Sequence, residues 1–294
     1  MLDVLYTEKN ITKTAQQLYV SQPSLTYRIQ QIEQKFNVEI IVRKKTGIEF
    51  TVEGERIALY AKKMILELEK LKNQIANTGD TVKGILKLGV SSTFAHYKLP
   101  ELLKNFLERN PKVEINVKTG WSSEVLQRVQ KEDVHIGIVR GEPHWQEQKH
   151  LLHTETINVV STQEIDLNYL PQLPRINYKT DVLLKTVIDN WWQSKYKSQP
   201  PFATMEVDNI HTCKELVKKG LGYAVLPNIC LQENESFYTY PLKDANEDTV
   251  IRHTWLIYRD ELLELSQIRA FIDFAKQYLL AETRALSDDA AEFT

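Results

Sequence analysis

Only two cysteines, Cys213 and Cys230, occur in the 294 residues, with no CxxC pair and no histidine pair at zinc spacing beside them. That usage does not support a disulfide framework or a structural zinc site, and both thiols are expected to be buried. Neither is flanked by a basic cluster that would stabilise a thiolate, so a redox switch is the less favoured alternative. Apolar runs approaching the ~18 residues of a membrane span are missing, as is a leader-like N-terminal pattern, so the expected compartment is the cytoplasm. Also missing are GxSxG, the P-loop, GxGxxG and any locally announced Ser, His and Asp set; no enzymatic activity and no cofactor are expected. His144, His150 and His153 are dense, but spacings of six and three do not put all three on one helical face, and no metal is expected. What is present is 42% apolar residues, ample for burial, and a length that suits two or three domains better than one core.

The most informative stretch is 10–33, NITKTAQQLYVSQPSLTYRIQQIE, which reads as helix, tight turn, helix. Thr12 is a plausible N-cap for a helix burying Ala15 and Leu18; Ser21 caps a second helix that tolerates Pro23 in its first turn. Leu25, Ile29, Ile32 and Phe36 share one face of that second helix, so Pro23, Tyr27, Gln30 and Gln34 point away, flanked by Ser24, Thr26 and Gln31. An outward face of amides and hydroxyls, rather than Lys and Glu, can match the donor and acceptor pattern of base edges. Two short apolar runs, Ile40 to Val42 and Ile48 to Phe50, then enclose Arg43, Lys44, Lys45, Thr46 and Gly47, a hairpin with a basic tip. From Lys9 to Lys45 seven basic residues face two acidic ones in a chain of net charge −2, a concentration suited to phosphates. A helical hairpin used only for packing is the bland alternative.

The segments AQQLYVSQPSLTYRIQQIE and VEIIVRKKTGIEFTVEGE resemble the winged helix-turn-helix of the LysR-type transcriptional regulators, and the resemblance extends over essentially the whole chain. It matches Ala15 and Leu18 to the family's packing residues, Ser21, Gln22, Pro23 and Ser24 to the start of its recognition helix, and Thr26 to a position that is usually Ser. Tyr27 and Gln30 stand where the family often has Arg, which shifts reliance toward Arg28 and the wing residues Arg43, Lys44 and Lys45. The helix containing Leu2 to Tyr6 is shorter at its start than the family's first helix.

After the wing, Ile57, Ala61, Met64, Leu68, Leu71 and Ile75 recur at four, three, four, three, four, with charged residues around them. A sustained heptad seam calls for a partner helix. The resemblance favours dimerisation through this helix, in a homodimer or homotetramer; packing on the chain's own effector domain is the alternative. Asn77, Thr78, Gly79, Asp80 and Gly84 break the pattern.

The rest alternates strand and helix: strands at Ile85 to Val90, Val113 to Val117 and Val134 to Val139, with a helix from Leu99 to Arg109 and one capped by Ser122 or Ser123. A second unit follows with the Trp191 helix, strands at Phe202 to Val207 and Tyr223 to Leu226, a helix from Ile210, then a strand Thr254 to Tyr258 and a helix Ser266 to Leu280. This order implies parallel sheets with right-handed crossovers. The expected fold class is α/β overall: a winged helix-turn-helix at 1–52, a linker helix at 53–78, and at 85–282 a two-lobed effector domain of the periplasmic-binding-protein architecture that the resemblance implies. Lobe I covers about 85–160 and 254–282, lobe II about 161–253, and 283–294 is expected to be a flexible tail.

Ligands in open α/β sheets sit at the carboxyl ends of strands. That rule selects Ser91, Ser92 and Thr93, then Gly120, Trp121 and Ser122, then Arg140, then Asp208 and Asn209; the resemblance points to the first, second and last of these groups. Each Ser or Thr could be only a cap, Trp121 only packing, and Arg140 could pair an anionic effector or Glu142. The expected partners are therefore double-stranded operator DNA and a small polar or anionic metabolite, with no membrane. The competing class is a solute-binding or enzymatic α/β protein carrying an N-terminal appendage.

Overall fold

The structure, a computed structural model, describes residues 1–44, 47–76, 81–197, 199–232 and 235–278. The chain divides into two compact units, Met1–Thr78 and Gly79–Thr294. The tail expected at 283–294 lies outside the described residues.

In the first unit, α1 (Leu2–Glu8), α2 (Ile11–Gln17) and α3 (Gln22–Phe36) precede a hairpin of β1 (Ile41–Lys44) and β2 (Gly47–Phe50), and α4 (Val52–Ala76) follows. Leu5, Ile11, Ala15, Leu25, Ile29 and Ile48 form the core under the three short helices. The cap of α2 is Asn10, not Thr12: the Asn10 side chain accepts the Lys13 N–H at 3.0 Å, which leaves Ile11 free to be buried as the first helical residue. Ser21 caps α3, accepting the Ser24 N–H at 3.3 Å. Phe36, expected on the buried face, is exposed in the last turn, where the chain leaves the core through Asn37 in the left-handed region.

Two close backbone approaches pin the hairpin. Ile48 N–H donates to Lys9 O at 3.1 Å, and a Cβ on Gly47 would lie 2.7 Å from that same oxygen. On the other side α4 enters against β1, where a Cβ on Gly54 would sit 2.1 Å from Ile40 O. Leu2, Ile40 and Ala58 close this second contact, so the wing is held by both α1 and α4.

The second unit consists of two lobes. Lobe I contains β3 (Gly84–Ser91), α5 (Ser92–Tyr97), α6 (Leu99–Arg109), β4 (Val113–Gly120), α7 (Ser122–Gln130), β5 (Ile136–Arg140) and the first part of β6 (Gln148–Ser161). Lobe II contains β7 (Arg175–Tyr178), α8 (Val182–Tyr196), β8 (Ala203–Val207), α9 (Ile210–Lys218), β9 (Ala224–Pro227) and β10 (Tyr238–Pro241). The chain returns to lobe I with β11 (Ile251–Tyr258) and α10 (266–278).

The lobe I sheet runs β4, β3, β5, β11, β6; β3 pairs parallel with β4 and β5, as the strand and helix alternation predicts, while β11 is antiparallel to both its neighbours. β6 is shared: 148–156 pair with β11, and 157–161 pair antiparallel with β9 and β10 in lobe II. There β7 and β8 run parallel, and the Ile176 N–H donating to Tyr223 O at 2.9 Å joins them to the start of β9. The third strand begins at Ile136 rather than Val134, and β11 at Ile251 rather than Thr254. Phe106 of α6 meets Phe271 of α10 edge-on at 5.1 Å, fixing the returning helix to lobe I.

β5, which carries Arg140 toward the cleft, is anchored at its entry by His135. Its N–H donates to Lys87 O at 2.8 Å, and its Nδ1 accepts the Lys87 N–H at 3.2 Å. Burial, then the Lys87 charge, lowers the imidazole from its ordinary value to about 4. The neutral ring is the folded form. Unfolded chains take up the proton first as acid is added, so this contribution is whole above pH 6.5 and is lost as pH falls from there to about 4. We expect His135→Gln to flatten the fall in unfolding free energy across that window by up to roughly 3 kcal/mol. Urea unfolding at a series of pH values measures it, and parallel curves for the two proteins would refute the assignment.

Candidate nucleic-acid interface and effector pocket

α2 and α3 are joined through Leu18, Tyr19 and Val20, with Tyr19 in the left-handed region at φ 53°. Gln22, Pro23, Tyr27, Arg28 and Gln30 are exposed on α3, and Ser24 and Thr26 are half-buried beside them. The sequence gives no reason to single out Tyr19, which is 96% exposed at the turn. Gln31, which the sequence places beside the outward face, donates its amide to the Tyr27 hydroxyl at 2.7 Å, one helical turn earlier. Such a pair orients two polar side chains together on the face that would approach bases.

The wing pairs Ile41 with Phe50 through Lys44 with Gly47. Arg43 and Lys44 are exposed; Lys45 lies outside the described residues. Lys44 Nζ sits 3.3 Å from Glu49, both side chains more than half exposed. A pair so open to water holds Lys44 weakly and leaves it able to meet a phosphate.

On α4, Ile57 and Ala61 are half-buried, while Met64, Leu68, Leu71 and Ile75 are exposed at about half or more of their surface. Leu59, Tyr60 and Ile65 add to the exposed apolar surface of the same helix.

In the second unit the ends of β3, β4 and β5 lie side by side. Ser91 is buried at the end of β3 and its hydroxyl has no hydrogen-bond partner among the described residues. Ser92 donates to Gly120 O at 3.2 Å, tying the first two loops together, and Thr93 is half-buried in α5. Ser122 does not cap α7; its hydroxyl accepts the Arg140 N–H at 3.0 Å, and the Glu124 carboxylate takes the Trp121 N–H at 2.9 Å instead. A carboxylate is the stronger acceptor, and three residues into the helix it reaches back to the free N–H.

Arg140 is buried and ion-paired with Glu155 of β6, whose second oxygen accepts the Ile229 N–H at 2.7 Å. Glu142, one of the two partners the sequence left open for Arg140, instead meets Lys149 at 3.6 Å. The chain turns at Gly141, with φ 92°, so Glu142 leaves the strand face that Arg140 occupies. On that face Arg140 faces Thr254 across β5 and β11, and Arg252 faces Glu155 across β11 and β6. Arg252 reaches Asp181 at 2.5 Å, and Asp181 also caps α8 by accepting the Leu184 N–H at 2.9 Å.

A pocket of about 340 Å³ opens between the lobes here, with Trp121, Ser122, Leu126, Arg140 and Pro143 on one side and Thr180, Asp181, Val182 and Leu183 on the other. Its size falls within the range of small-molecule sites. Of the expected ligand residues, Trp121, Ser122 and Arg140 line it; Ser91, Ser92, Thr93, Gly120, Asp208 and Asn209 do not. Asn209 acts as a cap, accepting the Thr212 N–H at 2.8 Å, and its amide donates to Asp208 at 2.7 Å. Near these residues the lobes touch: the His96 and His211 rings lie 3.9 Å apart, and Tyr97 OH is 3.0 Å from His211 Nδ1. Another cavity, of about 260 Å³, has all its walls in lobe II, including Arg175, Lys185 and Asp189.

Cys213 and Cys230 are free and buried, and burial pushes both thiols up to about 12, so neither is poised as a thiolate. Among the histidines grouped by the sequence, His144 lines the interlobe pocket and His150 contacts Tyr258 OH at 2.9 Å. No helix among the described residues is long and apolar enough to cross a membrane.

Removing one member of a buried ion pair strands the other, so Glu155→Gln should destabilise the second unit by about 3–5 kcal/mol. Urea unfolding followed by tryptophan fluorescence reports on it, since all the tryptophans lie in that unit. A cost within error of zero would show that the pair is not closed off from water.

Residues 1–55 match the model of the bacterial regulatory helix-turn-helix protein, lysR family, and residues 79–280 match the LysR substrate binding domain. The chain is similar to the uncharacterized HTH-type transcriptional regulator YraN of Bacillus subtilis (strain 168), 44% identical over 276 residues, covering 94% of this chain and 95% of that protein. It is also 37% identical to YkuM of the same organism over 281 residues, 95% of this chain and 96% of that one. Among solved structures it is similar to a full-length OxyR variant from Pseudomonas aeruginosa, with TM-score 0.62 at 19% identity, covering 94% and 95% of the two chains. Full-length CbnR, solved in complex with its target DNA, gives TM-score 0.55 at 16% identity and coverage of 94% and 96%. At such identities these two likenesses speak for the fold alone.

Proposed function

We propose, since the chain belongs to the LysR-type transcriptional regulator family, that α3 reads operator bases while the wing holds the backbone and a ligand between the lobes sets the response. The observation that carries this reading is the outward face of α3, where Tyr27, Arg28 and Gln30 stand exposed on a helix fixed from below by Leu25 and Ile29. Base edges are read by Gln30, the Tyr27 and Gln31 pair, and Ser24; phosphates are met by Arg28, Arg43, Lys44 and Lys45. The protein works as a regulator in the cytoplasm, not as an enzyme. The apolar stripe on α4 pairs with that of a second copy, because leaving four large apolar residues in water is costly and a heptad seam buries them. A dimer, or a tetramer of two such dimers, then presents recognition helices to a two-fold related site. The effector acts by changing the relative placement of those helices.

Arg43→Ala with Lys44→Ala should weaken binding to the chain's own upstream DNA and to random DNA by the same factor, and lower the slope of log affinity against log salt by roughly 2. Gln30→Ala should erase the preference for upstream DNA and leave that slope unchanged. Mobility shifts at several salt concentrations separate the two. Unimpaired binding of the double variant to random DNA would remove the wing from the interface.

The seam has its own test. Leu68→Glu places a charge where the partner helix would bury it, and light scattering should report a smaller assembly than for the parent. An unchanged mass would mean that α4 does not hold the copies together.

A further inference from the structure

The interlobe pocket carries a charge arrangement that restricts its ligand, an inference that rests on its being the effector site. Its walls are apolar where walls are usually closed off: Trp121 is 43% exposed, Leu183 49% and Val182 79%, and Leu126, Val139 and Pro143 continue the surface. Exposed apolar groups that converge on one concavity mark a place where another apolar body belongs.

Its polar edge is already balanced. Arg140 is paired with Glu155, Arg252 with Asp181, and Lys149 with Glu142, while Asp181 and Glu142 themselves line the pocket. A ligand bringing two carboxylates would meet two resident carboxylates, with each of these three cations already facing one of its own. Freeing Arg140 or Arg252 would break a buried pair and cost more than the new contact returns, whereas the Lys149–Glu142 pair lies open to water. Beside the Ser123, Thr180 and His144 side chains of the same lining, Arg140 and Ser122 each keep a donor on the inner wall. Arg140 is only 3% exposed and its Nε–H has no hydrogen-bond partner among the described residues, an arrangement rare for a buried polar group unless something else completes it. The Ser122 hydroxyl accepts from the Arg140 N–H, so its own proton is left to give.

We propose that the effector of this protein is a small molecule with a ring-sized apolar body, lying against Trp121 and Leu183, and a single uncharged acceptor, such as a carbonyl or amide oxygen, directed at Arg140 and Ser122. This departs from the small polar or anionic metabolite expected from the sequence: the ligand is apolar in its bulk, with one uncharged polar end.

The test is calorimetric titration of the full-length chain with benzamide, benzoate and succinate as probes. Benzamide should bind, benzoate should bind at least about tenfold more weakly, and succinate should give no heat beyond dilution. Trp121→Ala should weaken benzamide about tenfold or more, and Trp121→Phe, which keeps a ring, should restore most of the affinity; circular dichroism checks that both variants fold. Succinate binding more tightly than benzamide, and losing that affinity in Trp121→Ala, would overturn the ligand class and leave the pocket as the effector site. Benzamide bound equally by the parent, Trp121→Ala and Leu183→Asp would mean that it sits elsewhere, which overturns the placement itself. No binding by any of the three probes would also overturn the class.

Discussion

Glu155 is shut away from water on the strand that runs through both lobes, and the buried charges of the cleft are arranged around that carboxylate. Alone it would cost several kcal/mol to bury. Arg140 from the end of β5 supplies the opposite charge, and the Ile229 N–H, just after β9, fills the second oxygen. One side chain thus joins a strand of lobe I to a loop of lobe II. Next to it, Arg252 of β11 extends to Asp181, the cap of α8. Neither pair is a strong source of stability, because desolvation offsets most of the attraction, but each fixes one arrangement of the lobes rather than a continuum. A ligand that touches Arg140 and Asp181 acts on both pairs at once.

In the first unit the constraint is steric. The wing is a hairpin too short to be stable alone. It holds its place because backbone oxygens approach where only glycine fits, Lys9 O over Gly47 and Ile40 O over Gly54. The reading of bases proposed for α3 would depend on this indirectly: Ile48 of the wing belongs to the same core as Leu25 and Ile29, which set the rotation of the helix and hence which of its residues face outward.

What could be read from the sequence follows the range of the interactions involved. The helix, turn, helix pattern and the cap by Ser21 are local, and spacing alone shows them. Asn10 displaced Thr12 as a cap because the buried position of Ile11, a tertiary fact, decides where α2 begins. Trp121, Ser122 and Arg140 were reachable because strand ends in an α/β sheet are places for ligands. Asp181 and Leu183 were not, since they follow β7, a strand of four residues, too short for its pattern to announce it. The Glu155 partner was hidden for a different reason. It belongs to β6, a strand unmarked by turn residues, and meets Arg140 across β11, whose sequence lies more than a hundred residues further on.

Charge divides the molecule as sharply as its cores do. The chain as a whole carries −2, yet the stretch from Lys9 to Lys45 has seven basic residues against two acidic, so the remainder is net acidic. A polyanion is attracted to the first and repelled by the rest, which orients encounter before any base is read. That separation also bears on the pocket. Where Arg140, Arg252 and Lys149 lie among Glu155, Asp181 and Glu142, positive charge is held within ion pairs, the two arginines also shut away from solvent, so an acidic second unit need not become a second site for DNA or for polyanions. On the proposed reading, the exposed cations of the wing serve the nucleic acid, and the paired cations shape a cleft whose selectivity then falls to its apolar walls.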